Sequence, residues 1–200
     1  MKKLVYLISP NKIDHNFFAS LDKVLSSKNV KFFQLRLENL SQKKLLNFSK
    51  RIVKITAKHK VKLIINDNFI LASKIKVDGC HMGQLDGSFK IARKKLKGKI
   101  LGITCHNSKI LANNAIENKA DYIAFGSFSK SKLKPNAKKA NIKVLKWAKK
   151  NIKKPIVVIG GINNVNYKRL IKAGAKYIAI SSYIWDNPTL KPETAIRKFK

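Results

Sequence analysis

The sequence has 200 residues, 44% of them hydrophobic, enough for one domain with a sizeable core. No apolar run is long enough to span a bilayer, which excludes a helical membrane protein. Lys and Arg number 44 against 10 Asp and Glu, a formal charge of +34, which favours anionic partners: nucleic acid, an anionic membrane or phosphorylated metabolites.

Short apolar runs alternate with amphipathic segments along the whole chain. Leu4–Ile8 is the first expected strand. The N-terminus turns polar at Asn11, Lys12 and Asp14, so no targeting segment is read there. His15–Leu25 is a helix with Phe17, Phe18, Leu21, Val24 and Leu25 on one face. Phe32–Leu37 is a strand, and Ser41 caps a helix to about Lys58. Leu63–Asn66 is a strand without polar alternation, as in a parallel sheet covered on both faces. Then come a short helix Phe69–Lys74, a strand Val77–Met82, a helix Ser88–Leu96, a strand Ile100–Thr104 and a helix Ser108–Asn118. Tyr122–Gly126 is a strand, Ser127–Lys139 a polar loop, Ile142–Lys150 a helix and Pro155–Ile159 a strand. Asn164–Ala173 is a helix, Tyr177–Ser181 the last strand and Pro188–Phe199 a closing helix.

This period implies an α/β chain folded as a single-domain (β/α)8 TIM barrel over residues 1–200, near the lower size limit for that fold. An open doubly wound sheet is the alternative, but no Gly-rich dinucleotide fingerprint follows the first strand. Three helix-to-strand junctions share a phrase: Val77-Asp-Gly, Ala120-Asp-Tyr and Gly174-Ala-Lys-Tyr177.

Barrels carry their sites at the carboxyl ends of the strands. The second strand ends in Gln34-Leu-Arg36, whose alternation points both polar residues inward. Arg36 can clamp a phosphate or pair with Glu38. The third strand ends in Asn66-Asp67, which can serve a site, start a turn or cap the next helix. Asp86 follows the fourth strand. Together with Asp67 it could hold one Mg²⁺, and its bland role is a turn before Gly87. The fifth strand ends in Thr104-Cys-His106: Thr104 can donate to a phosphate, and His106 is either an acid–base group or a helix-start residue. Cys105 reads as core. The loop from Ser127 offers hydroxyls and ammonium groups through Lys134. Gly160-Gly161 after the seventh strand and Ser181-Ser182 after the eighth form a phosphate site of a kind common in barrels.

Cys80 and Cys105 are the only cysteines, so a reducing cytoplasm is the expected compartment. The lysines are scattered and form no block. That pattern favours compositional drift and a generally positive surface over a dedicated nucleic-acid partner; small phosphorylated substrates and no membrane are the expected partners.

Taken together, Gln34-Leu-Arg36, Ile65-Asn-Asp67, Asp78-Gly, His81-Met-Gly-Gln-Leu-Asp86, Gly102-Ile-Thr-Cys-His106, Ala120-Asp-Tyr-Ile-Ala-Phe-Gly126, Ile159-Gly-Gly-Ile162 and Ser181-Ser182 make a chain that resembles thiamine phosphate synthase. The resemblance covers nearly the whole length. It implies a transferase of thiamine biosynthesis that joins hydroxymethylpyrimidine pyrophosphate to hydroxyethylthiazole phosphate by dissociative, Mg²⁺-assisted substitution. By position, Gln34, Arg36, Asn66, Thr104 and Lys134 would hold the pyrimidine pyrophosphate, with Arg36, Asn66, Thr104 and Lys134 serving the reaction directly. Asp67 and Asp86 would hold Mg²⁺. Ser131, Gly161, Ser181 and Ser182 would hold the thiazole phosphate. Three positions depart from the family pattern. Glu38 stands where a lysine is usual in the pyrophosphate site, Leu133 where a threonine is usual in the thiazole phosphate site, and Ser9-Pro10 where the first strand usually ends in aspartate. Two alternatives remain at this level: a thiazole tautomerase-like isomerase using His106, and a degenerate barrel that binds a phosphorylated ligand or RNA.

Overall fold

Each apolar run is four to seven residues long and has backbone donors and acceptors on both edges. Closing the sheet on itself satisfies them all, and the computed structural model, which describes residues 3–37, 41–129 and 139–200, does so. The strands are β1 Val5–Ile8, β2 Val30–Leu35, β3 Lys62–Asn66, β4 Gly79–Met82, β5 Ile100–His106, β6 Tyr122–Gly126, β7 Ile156–Ile159 and β8 Tyr177–Ile180. The helices are α1 Phe17–Leu25, α2 Gln42–Lys58, α3 Phe69–Lys74, α4 Phe89–Leu96, α5 Lys109–Glu117, α6 Ile142–Asn151, α7 Tyr167–Ala173, α8 Ser182–Trp185 and α9 Pro192–Ala195, followed by a 3-10 turn Ile196–Lys198. Each strand pairs in parallel with its neighbour in sequence, and β1 closes on β8. This is the expected (β/α)8 barrel. No helix among the described residues is long and apolar enough to cross a membrane.

Short polar side chains set several helix starts. The Ser41 hydroxyl accepts from Lys44 N–H, Asn68 Oδ1 from Leu71 N–H and Ser108 Oγ from Leu111 N–H, which satisfies donors the first turn would otherwise leave open. Several expected boundaries shift by a few residues, among them β4, which starts at Gly79, β5, which runs on to His106, and α7, which starts at Tyr167; two differences have a visible cause. β2 spans Val30–Leu35, because pairing with β1 sets Val5 against Val30 and Tyr6 against Phe32; Arg36 lies just past the ladder. The single closing helix expected over Pro188–Phe199 is broken. Asn187 Oδ1 accepts from Thr189 N–H and Leu190 N–H, a local turn, and Pro192 can only open a new helix.

Apolar side chains divide between two cores. The larger lies between strands and helices and includes Leu7, Phe33, Leu63, Leu101 and Val158. The smaller fills the barrel with Tyr6, Ile8, Phe32, Ile64, Tyr122, Ala124, Val157, Tyr177 and Ala179. Aromatic bulk is matched by missing side chains opposite. A Cβ on Gly102 would come within 1.9 Å of the Tyr122 ring.

The shared junction phrase has a structural role at the foot of the barrel. Asp78 Oδ2 accepts from Leu63 N–H, and Asp121 Oδ2 accepts from Leu101 N–H, each at 2.8 Å. Asp78 also pairs with Lys62, and Asp121 with Arg93. Each aspartate thus ties its own junction to the start of the preceding strand. Replacing Asp121→Ala leaves the Leu101 amide without its acceptor. We expect a loss of about 1–3 kcal/mol, read as a lower urea midpoint at unchanged slope.

Candidate active site

At the carboxyl-end mouth, strands β1, β2 and β8 are joined through one serine. Ser9 Oγ accepts from Arg36 N–H at 3.0 Å and donates to Arg36 O at 2.8 Å. Ser181 Oγ donates to Ser9 O at 2.9 Å, and the Trp185 indole N–H donates to Ile8 O at 2.6 Å. Arg36 is half-buried at this rim, and Gln34 is buried below it inside the barrel.

The end of β3 removes one of the three roles the sequence left open. The cap of α3 is Asn68, so neither Asn66 nor Asp67 serves as cap. Asp67 takes a left-handed backbone, φ 62°, a conformation Asp tolerates better than most residues, and its N–H donates to His81 O at 2.7 Å. The Asn66 amide donates to Asp67 Oδ2 at 2.6 Å. Asp86 does make a turn, since its Oδ2 accepts from Gly83 N–H at 2.6 Å. Yet Asp67 and Asp86 also line one open recess of about 390 Å³ with Asn68, Phe69, Ile70 and Leu85. After burial itself, these two carboxylates are what push the buried Cys80 thiol above its ordinary range. Their donors are hard oxygens. Two carboxylates with room for water and phosphate fit Mg²⁺, which seldom takes a closed all-protein cage. No cluster of three or more His, Cys, Asp or Glu suited to a metal occurs among the described residues.

Thr104 is held from two directions. His81 Nε2 lies 2.8 Å from its Oγ1, and the Gln84 amide donates to its carbonyl oxygen at 2.5 Å. His81 is buried against Tyr122, with Nδ1 2.9 Å from the phenolic oxygen. Burial holds its pKa down to about 4, with the Asp86 carboxylate pulling upward and the Arg36 cation downward. The ring is therefore neutral at neutral pH. His81 was not among the residues with a role assigned from sequence. The signal was there in the alternation of β4, which sends Cys80 and Met82 outward to the helices and His81 inward. His106 ends β5, exposed, with φ 50°.

Across the mouth, Gly160 and Gly161 have φ of 99° and 61°, a turn that L side chains disfavour. Asn166, another residue without an assigned role, shapes it. Its amide donates to Gly161 O at 2.8 Å, and its Oδ1 accepts from Asn163 N–H at 3.0 Å. Ser182 is exposed at the first position of α8, whereas the Ser181 hydroxyl is engaged with Ser9. Gln34, Arg36, Asn66, Asp67, Asp86, Thr104, Gly161, Ser181 and Ser182 thus all belong to one end of the barrel. Glu38, Ser131, Leu133 and Lys134 lie outside the described residues, as do Lys130 and Lys132.

Comparison with known proteins gives the family and the fold. The family model described as thiamine monophosphate synthase matches residues 5–184. A thiamine-phosphate synthase of Pelagibacter ubique is 54% identical over 200 residues, covering 100% of this chain and 97% of its own length. The chain belongs to the thiamine monophosphate synthase family. A second member, from Erythrobacter litoralis, is 38% identical over 186 residues, covering 90% of this chain and 87% of its own. Among solved structures, a thiamine phosphate pyrophosphorylase from Pyrococcus furiosus superposes with a TM-score of 0.86, at 22% identity, covering 98% of this chain and 93% of that one. At that identity the superposition bears on the fold alone.

Neither cysteine of this family member has the surroundings of a nucleophile. Burial pushes Cys105 up to about 12 and Cys80 higher still, so almost no thiolate exists near neutrality. A colorimetric thiol reagent at pH 8 should label neither cysteine in the folded chain and both after denaturation.

Proposed function

We propose that this chain is a thiamine-phosphate synthase working by dissociative substitution, with charge stabilisation and positioning supplied at the barrel mouth. Family membership over nearly the full chain gives the activity and the transferase class. The observation that carries the mechanism is the recess shared by Asp67 and Asp86, at the same end of the barrel as Gln34, Arg36, Asn66 and Thr104.

In this reading Asp67 and Asp86 hold Mg²⁺, which when bound offsets the charge that builds on the departing pyrophosphate. Arg36 adds a cation at the same rim, and Thr104 and the Asn66 amide add hydrogen-bond donors. By the resemblance, Lys134 would also hold the pyrophosphate. The thiazole phosphate would sit across the mouth on the amides of the Gly160–Gly161 turn and Ser182, and by the resemblance Ser131 would also hold it. The pyrimidine methylene carbon then loses pyrophosphate and is captured by the thiazole nitrogen. Such a reaction needs little proton transfer, so holding both partners in line and matching the developing charge account for most of the acceleration. Glu38 and Leu133 remove one cation and one hydroxyl relative to the family pattern; Lys130 or Lys132 would replace part of that loss. With two buried, unbridged cysteines the chain suits a reducing cytoplasm.

The test is direct. Incubating hydroxymethylpyrimidine pyrophosphate and hydroxyethylthiazole phosphate with the chain should give thiamine phosphate only when Mg²⁺ is supplied. Asp67→Ala should lower the rate by about 10²-fold or more, the scale for losing a principal electrostatic contact. His106→Ala should keep most of it. Loss with the histidine variant and retention with the aspartate variant would transfer the reading to a metal-free thiazole isomerase.

A further inference from the structure

Five side chains from five strands form one buried line across the barrel. The Gln34 amide nitrogen on β2 lies 3.1 Å from the Tyr6 hydroxyl on β1. Tyr6 and the Tyr122 hydroxyl on β6 are 2.7 Å apart. Tyr122 is 2.9 Å from His81 Nδ1 on β4, and His81 Nε2 is 2.8 Å from Thr104 Oγ1 on β5. None of the first four is more than 9% exposed. The members are an amide, two phenols, an imidazole and a hydroxyl, with no carboxylate or ammonium in the line, and burial favours the neutral form of each ring.

Counting protons gives the line a direction. The amide nitrogen of Gln34 can only donate, so Tyr6 accepts there and has one proton of its own to give. Either oxygen of the Tyr6–Tyr122 contact can donate, but it is the contact that offers the Tyr6 proton an acceptor, so Tyr122 takes that proton and gives its own to His81 Nδ1. A neutral imidazole accepting at Nδ1 carries its proton at Nε2 and donates to Thr104 Oγ1. The Thr104 hydroxyl, already an acceptor from His81, keeps one proton to give to whatever occupies the mouth.

We propose that His81 is a positioning residue: it fixes the Thr104 hydroxyl as an outward donor to the substrate, and the Gln34–Tyr6–Tyr122 line sets the His81 tautomer that makes this so. This rests on the reading of Thr104 as a substrate-contacting group. It adds a role for three aromatic rings that would otherwise count as core. The fit of Tyr122 over Gly102 belongs to the same device, because a methyl there would displace the phenol from both its partners.

Two measurements test it. First, a H15Q/H59Q/H106Q variant retains only His81, and ring ¹⁵N shifts of the labelled, substrate-free protein report its tautomer. We expect the proton on Nε2, and a mixture of tautomers after Tyr122→Phe. A proton on Nδ1 would reverse the line and overturn the proposal, as would an unchanged tautomer in the Tyr122→Phe variant. Second, the synthase assay is run on His81→Leu, Thr104→Val and the double variant. If the histidine acts through the threonine, each single change lowers kcat by about 10²-fold, the cost of misplacing a reacting contact, with a smaller change in KM. The double variant then falls no further than Thr104→Val alone. His81→Gln, which presents an N–H near the Nε2 position, should recover part of the rate. Multiplying losses, or no gain from glutamine over leucine, would overturn the proposal. A wild-type chain inactive in the synthase assay would instead sink the functional reading, and the tautomer result stands apart from it.

Discussion

A parallel sheet closed on itself has an interior that only its own side chains can fill. In this barrel part of that fill is polar. Tyr6, Gln34, His81 and Tyr122 sit at 9% exposure or less, where an unpartnered polar atom costs more than a hydrogen bond usually gains. No buried side-chain nitrogen or oxygen among the described residues lacks a partner. The condition that every inward polar atom be matched dictates the rest: Tyr122 needs a glycine opposite, His81 needs two hydroxyls, and Thr104 is pinned at the top by the rings below it. The site at the mouth is the upper end of a column whose lower members are already fixed.

The scarcity of acids sharpens the same picture. Ten carboxylates face 44 cationic side chains, and those whose contacts can be described are placed with purpose. Asp78 and Asp121 hold strand starts at the foot, and Asp22 joins Lys58 and His59 on the outer face. Asp67 and Asp86 meet at the mouth. Exposed lysines on the helices can accumulate at small cost in stability, because surface charge interactions are weak and screened. An aspartate that accepts a buried strand amide has no such latitude.

Much of this was readable from the chain. Eight apolar runs separated by amphipathic segments point to the barrel, and Ser41, Ser88 and Ser108 mark helix starts that the hydrogen bonds bear out. The polar residues after successive runs were enough to collect the mouth. Two kinds of information were missing. The start of β2 depends on its register against β1, a long-range pairing that local hydrophobicity does not encode. The inner polar line is equally non-local. Tyr6 and Tyr122 are 116 residues apart, and each reads as an ordinary core aromatic until the strand order brings their hydroxyls together. The broken closing helix was the more avoidable error, since Asn187 and Pro192 are both punctuation marks.

Ser9 stands where the family resemblance leads one to expect a carboxylate. A carboxylate only accepts; a hydroxyl accepts and donates, and Ser9 does both with the backbone of Arg36 while its own carbonyl receives Ser181. The strand that begins the barrel is thereby riveted to its neighbours on either side. One neighbour leads to the rim assigned to the leaving pyrophosphate, the other to the rim assigned to the thiazole phosphate. The spacing of those two rims is held by short hydrogen bonds to backbone groups and not by long flexible side chains. Exchange of charge for a rivet turns this seam into a gauge block that keeps the two edges of the mouth a fixed distance apart.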